Sequence, residues 1–90
     1  MEALSLIHHR SRSERHARAR EAARRCAALT AREIEVLQLA ADGLSGPEIA
    51  ARFVVSASTV KTHFENAYRK LGVTERPAAV AQALRAGVID

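Results

Sequence analysis

From Ala57 to Leu71 nothing in the sequence interrupts a helix, and the order of the side chains leaves that helix little choice of surroundings. Val60, Phe64, Ala67, Tyr68 and Leu71 recur at i, i+4, i+7, i+8 and i+11, which lines them along one side. Ser58, Lys61, Thr62, Glu65, Asn66 and Arg69 follow the same period and form a second, wholly polar stripe. Ser56 precedes the run as an N-cap whose hydroxyl accepts a free backbone N–H, and Gly72 ends it. One side must therefore pack against protein, while the other is left to face solvent or a ligand.

The residues before this helix supply what it packs on. Thr30 and Glu33 have the spacing of a capping box, in which each side chain satisfies the other's backbone N–H. Val36, Leu37, Ala40 and Ala41 then recur at helical spacing up to Gly43, with Leu44 folding back, which predicts a helix over 31–42. Ser45 and Glu48 repeat the capping box, Pro47 sits in a first turn where its missing N–H is harmless, and Ile49, Ala50 and Phe53 face inward. That predicts a short helix over 46–52. A last helix is expected over 76–86, with Pro77 in its first turn, Ala79, Val80, Ala83 and Leu84 buried, and Gly87 as terminator. Thr74 or Glu75 must cap it, and neither makes a capping box. No strand pattern or repeat is present, so the expected fold is all-α, a four-helix bundle.

A short helix, a tight turn and a longer helix is the arrangement in which one helix crosses DNA phosphates and the next enters the major groove. Ala50 falls where two such helices approach closely, and Val60 pins the second to the first. The glycine usual in that turn is replaced by Val54, a β-branched residue for which positive φ is costly. Either the turn is built differently or the motif is weaker than it looks.

Residues 1–28 have another character. Seven arginines stand there against three glutamates, whereas residues 29–90 balance seven bases with seven acids, so the whole formal excess of +4 lies in the amino-terminal part. From Ser11 to Ala28 the chain is rich in Arg and Ala, with no Gly, Pro or large apolar side chain, and Leu4, Leu6 and Ile7 are the only apolar group before it. High helix propensity with nothing to bury predicts a solvated, frayed connecting helix, preferred over an arm on the DNA backbone. A membrane-surface helix needs an apolar side that alanine does not provide. The expected organisation is a basic linker over 1–28 and a compact domain over 29–90.

Several classes are disfavoured. A unit of about 60 residues buries only about 60% of its unfolded surface, which leaves little room for a cofactor pocket, and none is expected. Residues 1–7 carry Glu2 and lack the basic start and long apolar stretch of a secretion signal, and no run is long enough to span a membrane. With Cys26 as the single cysteine, a reducing cytoplasmic location is expected, the thiol being inert or partly exposed. Phe53, Phe64 and Tyr68 are too few for a base-stacking platform. His8, His9, His16 and Cys26 fit no metal-ligand spacing. Ser56, Ser58 and His63 do not make a nucleophile set, because Ser56 serves as a cap and nothing orients the histidine. His63 is expected to be a hydrogen-bonded structural residue rather than a DNA contact, and no enzyme is expected.

The run Leu29-Thr30-Ala31-Arg32-Glu33-Ile34-Glu35-Val36-Leu37 continues with Gly43-Leu44-Ser45, Glu48-Ile49-Ala50, Val55-Ser56 and Thr59-Val60-Lys61-Thr62-His63. Arg69-Lys70-Leu71-Gly72-Val73 and Ala79-Val80 complete the series. In order and spacing it resembles the LuxR/FixJ-type (GerE-like) helix-turn-helix module of bacterial transcriptional and response regulators, over essentially all of residues 29–90. The Arg/Ala stretch is similar to the connecting helix of FixJ-like regulators. No sensory domain precedes the module in this sequence.

The resemblance implies sequence-specific binding of double-stranded DNA by a regulator's output domain. Helix 57–71 would be the recognition helix, with Lys61, Thr62 and Glu65 at base edges and Ser58, Thr59, Asn66, Arg69 and Lys70 on the backbone. Glu65 departs from the family, which commonly has a basic or small residue there, and its acid can only accept, for example from cytosine N4. The fourth helix pairs with its copy in this family. Ala78, Gln82 and Arg85, read as its outer positions, are small or polar, so a weak homodimer strengthened on a pseudo-palindromic site is expected. RNA polymerase and a sensory domain are the further partners this class allows. The rivals are a protein-interaction module that antagonises or heterodimerises with another regulator, and nonspecific nucleic-acid binding by the Arg-rich arm.

Overall fold

The computed structural model describes residues 11–90, which form five α-helices and no strand among the described residues. They are α1 (Arg12–Cys26), α2 (Ala31–Ala41), α3 (Gly46–Phe53), α4 (Ala57–Leu71) and α5 (Arg76–Ala86). The fold is all-α as expected, and the four helices of the compact part start and stop within one residue of their expected ends. The Leu4, Leu6 and Ile7 group, the reading of residues 1–7, and His8 and His9 lie outside the described residues. No helix among the described residues is long and apolar enough to cross a membrane.

Local chemistry sets the helix starts. The Glu33 N–H donates to Thr30 Oγ1 at 3.1 Å and the Thr30 N–H to Glu33 Oε1 at 2.9 Å. Ser45 and Glu48 do the same at 3.2 and 2.8 Å, and Ser56 Oγ accepts the Thr59 N–H at 3.1 Å. Glu75 occupies the N-cap of α5 without a side-chain bond, leaving the start to Pro77 in the first turn.

The helix ends answer the question posed by Val54. After each of α2 to α5 an N–H two or three residues past the end reaches back to a carbonyl five residues earlier. The four bonds are Leu44 to Leu39, Val55 to Ala50, Val73 to Tyr68 and Val88 to Ala83, at 3.0, 3.0, 3.0 and 3.2 Å. This closure needs a left-handed residue just before the donor. Gly43, Gly72 and Gly87 fill that place at three ends, and Val54 fills it at the fourth with φ 56° and ψ 49°. The turn is therefore built in the ordinary way, with a valine in the seat of a glycine. Its side chain is 89% exposed, so no packing offsets the strain.

Val36 and Leu37 of α2, Ile49 and Ala50 of α3, Val60, Phe64, Ala67 and Leu71 of α4, and Ala79 and Ala83 of α5 form one core. The amino-terminal helix corrects the expectation of a solvated linker with nothing to bury. Its first two turns are exposed, but Ala22 and Cys26 are buried where α1 packs on α5 and α4. The physical reason is size: alanine and cysteine on α1, with buried Ala79 and Ala83 on α5, let two helices approach closely without any large apolar side chain. Cys26 is thus enclosed rather than partly exposed, and burial pushes its thiol up from the ordinary value, away from reactivity.

Helix α5 is rotated from its expected setting. Leu84, read as core, is 48% exposed, while Gln82, read as an outer position, is buried with its Nε2 donating to Leu71 O at 2.9 Å. That carbonyl belongs to the last turn of α4, where helical partners run out, so Gln82 satisfies a group that would otherwise be buried unpaired.

Val54→Gly is expected to raise the unfolding free energy by about 1 kcal/mol, because glycine enters the left-handed region freely but also loosens the unfolded chain. Urea unfolding measures it. No gain with glycine would mean that the turn is not strained.

Candidate nucleic-acid interface

Four residues of α4 are buried on its inner side, Val60, Phe64, Ala67 and Leu71, and this fixes what points outward. Phe64 lies 5.8 Å from Tyr68 between ring centres, and the Arg76 guanidinium covers Phe64 at 4.6 Å. Arg76 also donates to Leu44 O at 3.0 Å, tying the start of α5 to the loop that leads into α3. No local pattern marks this role for Arg76, which depends on a ring twelve residues away in the chain.

On the outer side Ser58, Lys61, Thr62, Glu65 and Arg69 are exposed and Asn66 is half-buried. Ser56 Oγ lies 3.0 Å from Ser58 Oγ and 2.9 Å from Thr59 Oγ1, so the half-buried Thr59 belongs to the cap. Thr62 Oγ1 donates to Ser58 O at 3.0 Å, and Arg69 donates to Asn66 Oδ1 at 3.0 Å. Lys61 and Glu65 border a groove of about 380 Å³ with Gly46, Pro47, Ala57 and Tyr68 beside them. The polar stripe is therefore one continuous, accessible surface that begins at a helix N-terminus, where backbone N–H groups favour anions.

Two of the residues expected in this region serve otherwise. Lys70 turns inward: its Nζ donates to Glu33 Oε1 at 2.7 Å, and its side chain is only 24% exposed. It closes a bridge between the last turn of α4 and the first turn of α2. His63, expected to be a hydrogen-bonded structural residue, is half-buried and makes no hydrogen bond among the described residues. Of the three positions read as outer on the last helix, Ala78 and Arg85 are exposed and Gln82 is not.

Residues 27–83 match the family described as bacterial regulatory proteins, luxR family. The chain is 55% identical over 62 residues to a probable transcriptional regulatory protein NarL of Mycobacterium tuberculosis, covering 69% of this chain and 29% of that protein. It is 48% identical over 64 residues to the transcriptional activator protein VanR of Vibrio anguillarum, covering 71% and 27%. A solved structure of the response regulator ChrA, from a heme-sensing two-component system, superposes with a TM-score of 0.66 at 48% identity, covering 69% of this chain and 31% of that one. The chain thus spans less than a third of each of these relatives.

The Lys70 bridge makes a pH prediction. Burial pushes the Glu33 carboxyl up, but hydrogen bonds from Lys70 and the Thr30 N–H, together with the lysine charge, outweigh it and hold the carboxyl below its ordinary value. A depressed folded value means stability present above the unfolded pKa and lost as pH falls through the folded one. Glu33→Gln should therefore be less stable than wild type at neutral pH, with the gap closing in acid. Lys70→Ala should destabilise by about 1–3 kcal/mol by leaving the buried carboxylate short of a donor. Denaturant titrations at several pH values decide it, and a gap that does not change with pH would contradict the bridge.

Proposed function

Because this chain belongs to the luxR family of bacterial regulatory proteins, we propose that residues 29–90 bind double-stranded DNA as the output domain of a transcriptional regulator in the cytoplasm. Helix α4 enters the major groove, with α3 across the phosphates of the groove edge. Lys61, Thr62 and Glu65 meet base edges, and Ser58, Thr59, Asn66 and Arg69 contact the backbone. Lys70 leaves that set because it is bonded to Glu33. The observation that carries this reading is the wholly polar, accessible side of α4, held outward by a core on its opposite side. The relatives bear the names of transcriptional regulators, which supports regulation and not catalysis.

The functional unit is a symmetric pair on a pseudo-palindromic site, with half-sites near one helical turn apart. Helix α5 offers the contact. Its exposed Leu84 lies one turn from half-buried Val80, and exposed Val88 follows, with Ala78 and Arg85 nearby. So small an apolar stripe suits a weak dimer that DNA strengthens. RNA polymerase and a sensory domain are the partners a regulator of this kind would engage beyond DNA.

Duplex binding measured across salt concentrations tests the first part. Lys61→Ala should lose about 1–3 kcal/mol and relax preference at one base pair. Deleting residues 1–28 would strip Ala22 and Cys26 from the core, so the arm is better tested by Arg12→Gln with Arg20→Gln, which should change only the salt slope. Binding lost in the arginine variant and kept in Lys61→Ala would establish nonspecific binding by the arm instead. Binding by none of them would favour a protein-interaction module.

For the pair, Leu84→Asp is expected to weaken binding to a two-half-site duplex while leaving a single half-site unaffected. Electrophoretic titration of both duplexes reads this out, and equal losses on the two would remove α5 from the interface.

A further inference from the structure

The outward face of α4 carries six polar side chains, and the structure divides them into two kinds. Ser58 is bonded to the cap at Ser56, the Thr62 hydroxyl hydrogen is committed to the Ser58 carbonyl, and Asn66 and Arg69 are bonded to each other. Lys61 and Glu65 alone have no hydrogen bond or ion pair among the described residues, although they stand one turn apart with opposite charges. A lysine placed four residues before a glutamate is the weaker orientation for a helical ion pair, so both charges stay available to a ligand.

The two charges are complementary to different edges of the major groove. An ammonium has only donors and suits the O6 and N7 acceptors of guanine. A carboxylate has only acceptors, and the groove offers it just two donors, the amino groups of cytosine N4 and adenine N6. Adenine sets the N7 acceptor beside its amino group, where it repels the second carboxylate oxygen. Cytosine carries no acceptor on that edge, and it is the better fit. Opposite guanine or thymine the carboxylate loses water without gaining a donor, a penalty that discriminates more strongly than the bond itself attracts. Four residues of helix rise about 6 Å, against about 3.4 Å per base-pair step, which places the two contacts one or two base pairs apart.

We propose that Lys61 and Glu65 are the two base-discriminating residues of this module, Lys61 selecting guanine and Glu65 selecting cytosine through its N4 amino group one or two base pairs away. The inference rests on the major-groove reading of α4 given above. Thr62, whose hydroxyl hydrogen is already used, adds contact without distinguishing guanine.

Selection of duplexes by the full 90-residue chain, followed by competition titrations of wild type, Glu65→Ala, Glu65→Gln and Lys61→Ala, tests it. Wild type should prefer cytosine about tenfold at one position, equivalent to about 1.4 kcal/mol. Glu65→Gln should move that preference toward adenine, which matches an amide through N6 and N7. Glu65→Ala should lose the cytosine preference alone and bind unrelated duplex at least as tightly, since a charge that repels phosphates is gone. Lys61→Ala should lose guanine at the neighbouring position and keep cytosine. Retention of the cytosine preference by Glu65→Ala, with Lys61→Ala still losing guanine, would overturn the inference and leave the major-groove reading standing. If no duplex is selected, or if neither Lys61→Ala nor Glu65→Ala alters any base preference, that reading falls and the inference falls with it.

Discussion

Burial of one side of α4 is the constraint from which the rest of the molecule follows. Val60, Phe64 and Leu71 are 2, 5 and 0% exposed, and enclosing side chains of this kind contributes about 1.5–3 kcal/mol each. A single hydrogen bond on the outer stripe is worth about 0.5–1.5 kcal/mol. The core therefore sets the rotation of the helix. Shifting its register by one residue turns it by about 100° and would bring Lys61 to the place of Val60. No arrangement of the polar stripe is strong enough to demand that, so the face offered to a ligand is a consequence of packing.

The core that holds α4 is filled by alanines on its α5 side, and this explains why α1 belongs to it. Ala67, Ala79 and Ala83 fill little volume, and Ala22 and Cys26 complete the enclosure from the amino-terminal side. With little burial to draw on, local interactions weigh more than they would in a larger domain. Three side-chain N-caps on α2, α3 and α4 contribute about 1 kcal/mol each, while the left-handed Val54 costs about 1–2 kcal/mol. The strain in the turn thus offsets the benefit of at least one cap.

What could be read from the sequence was whatever is local. Ser56 and Gly72 bracket α4 because capping and left-handed closure act within a few residues, and the capping boxes at Thr30 and Ser45 are local in the same way. The docking of α1 was hidden because alanines give no stripe to follow. The same ambiguity misplaced Gln82 and Leu84: a helix with alanine on several sides has more than one plausible inner face. The bridge from Lys70 to Glu33 joins residues 37 apart, and no pattern along the chain announces it. On the candidate site, the sequence showed which residues share the outer stripe but not which of them are already bonded within the protein.

That last distinction also changes the electrostatic picture of the bundle. Residues 29–90 carry no net charge, and several of their bases serve the fold: Lys70 on Glu33, Arg76 over Phe64, and Arg32 over Phe53 at 4.1 Å. The positive charge left facing outward is sparse, so the compact part has little long-range attraction for a polyanion. The arm holds the formal excess, and six of its arginines, from Arg12 to Arg25, lie on α1, which is packed on α5. On the reading proposed for α4, the formal excess of charge and the polar stripe thus lie on different elements of one small fold. A bundle that relied on its own net charge would need basic residues on that side. Only Lys61 and Arg69 are basic there, Arg69 is bonded to Asn66, and Glu65 stands one turn from the lysine.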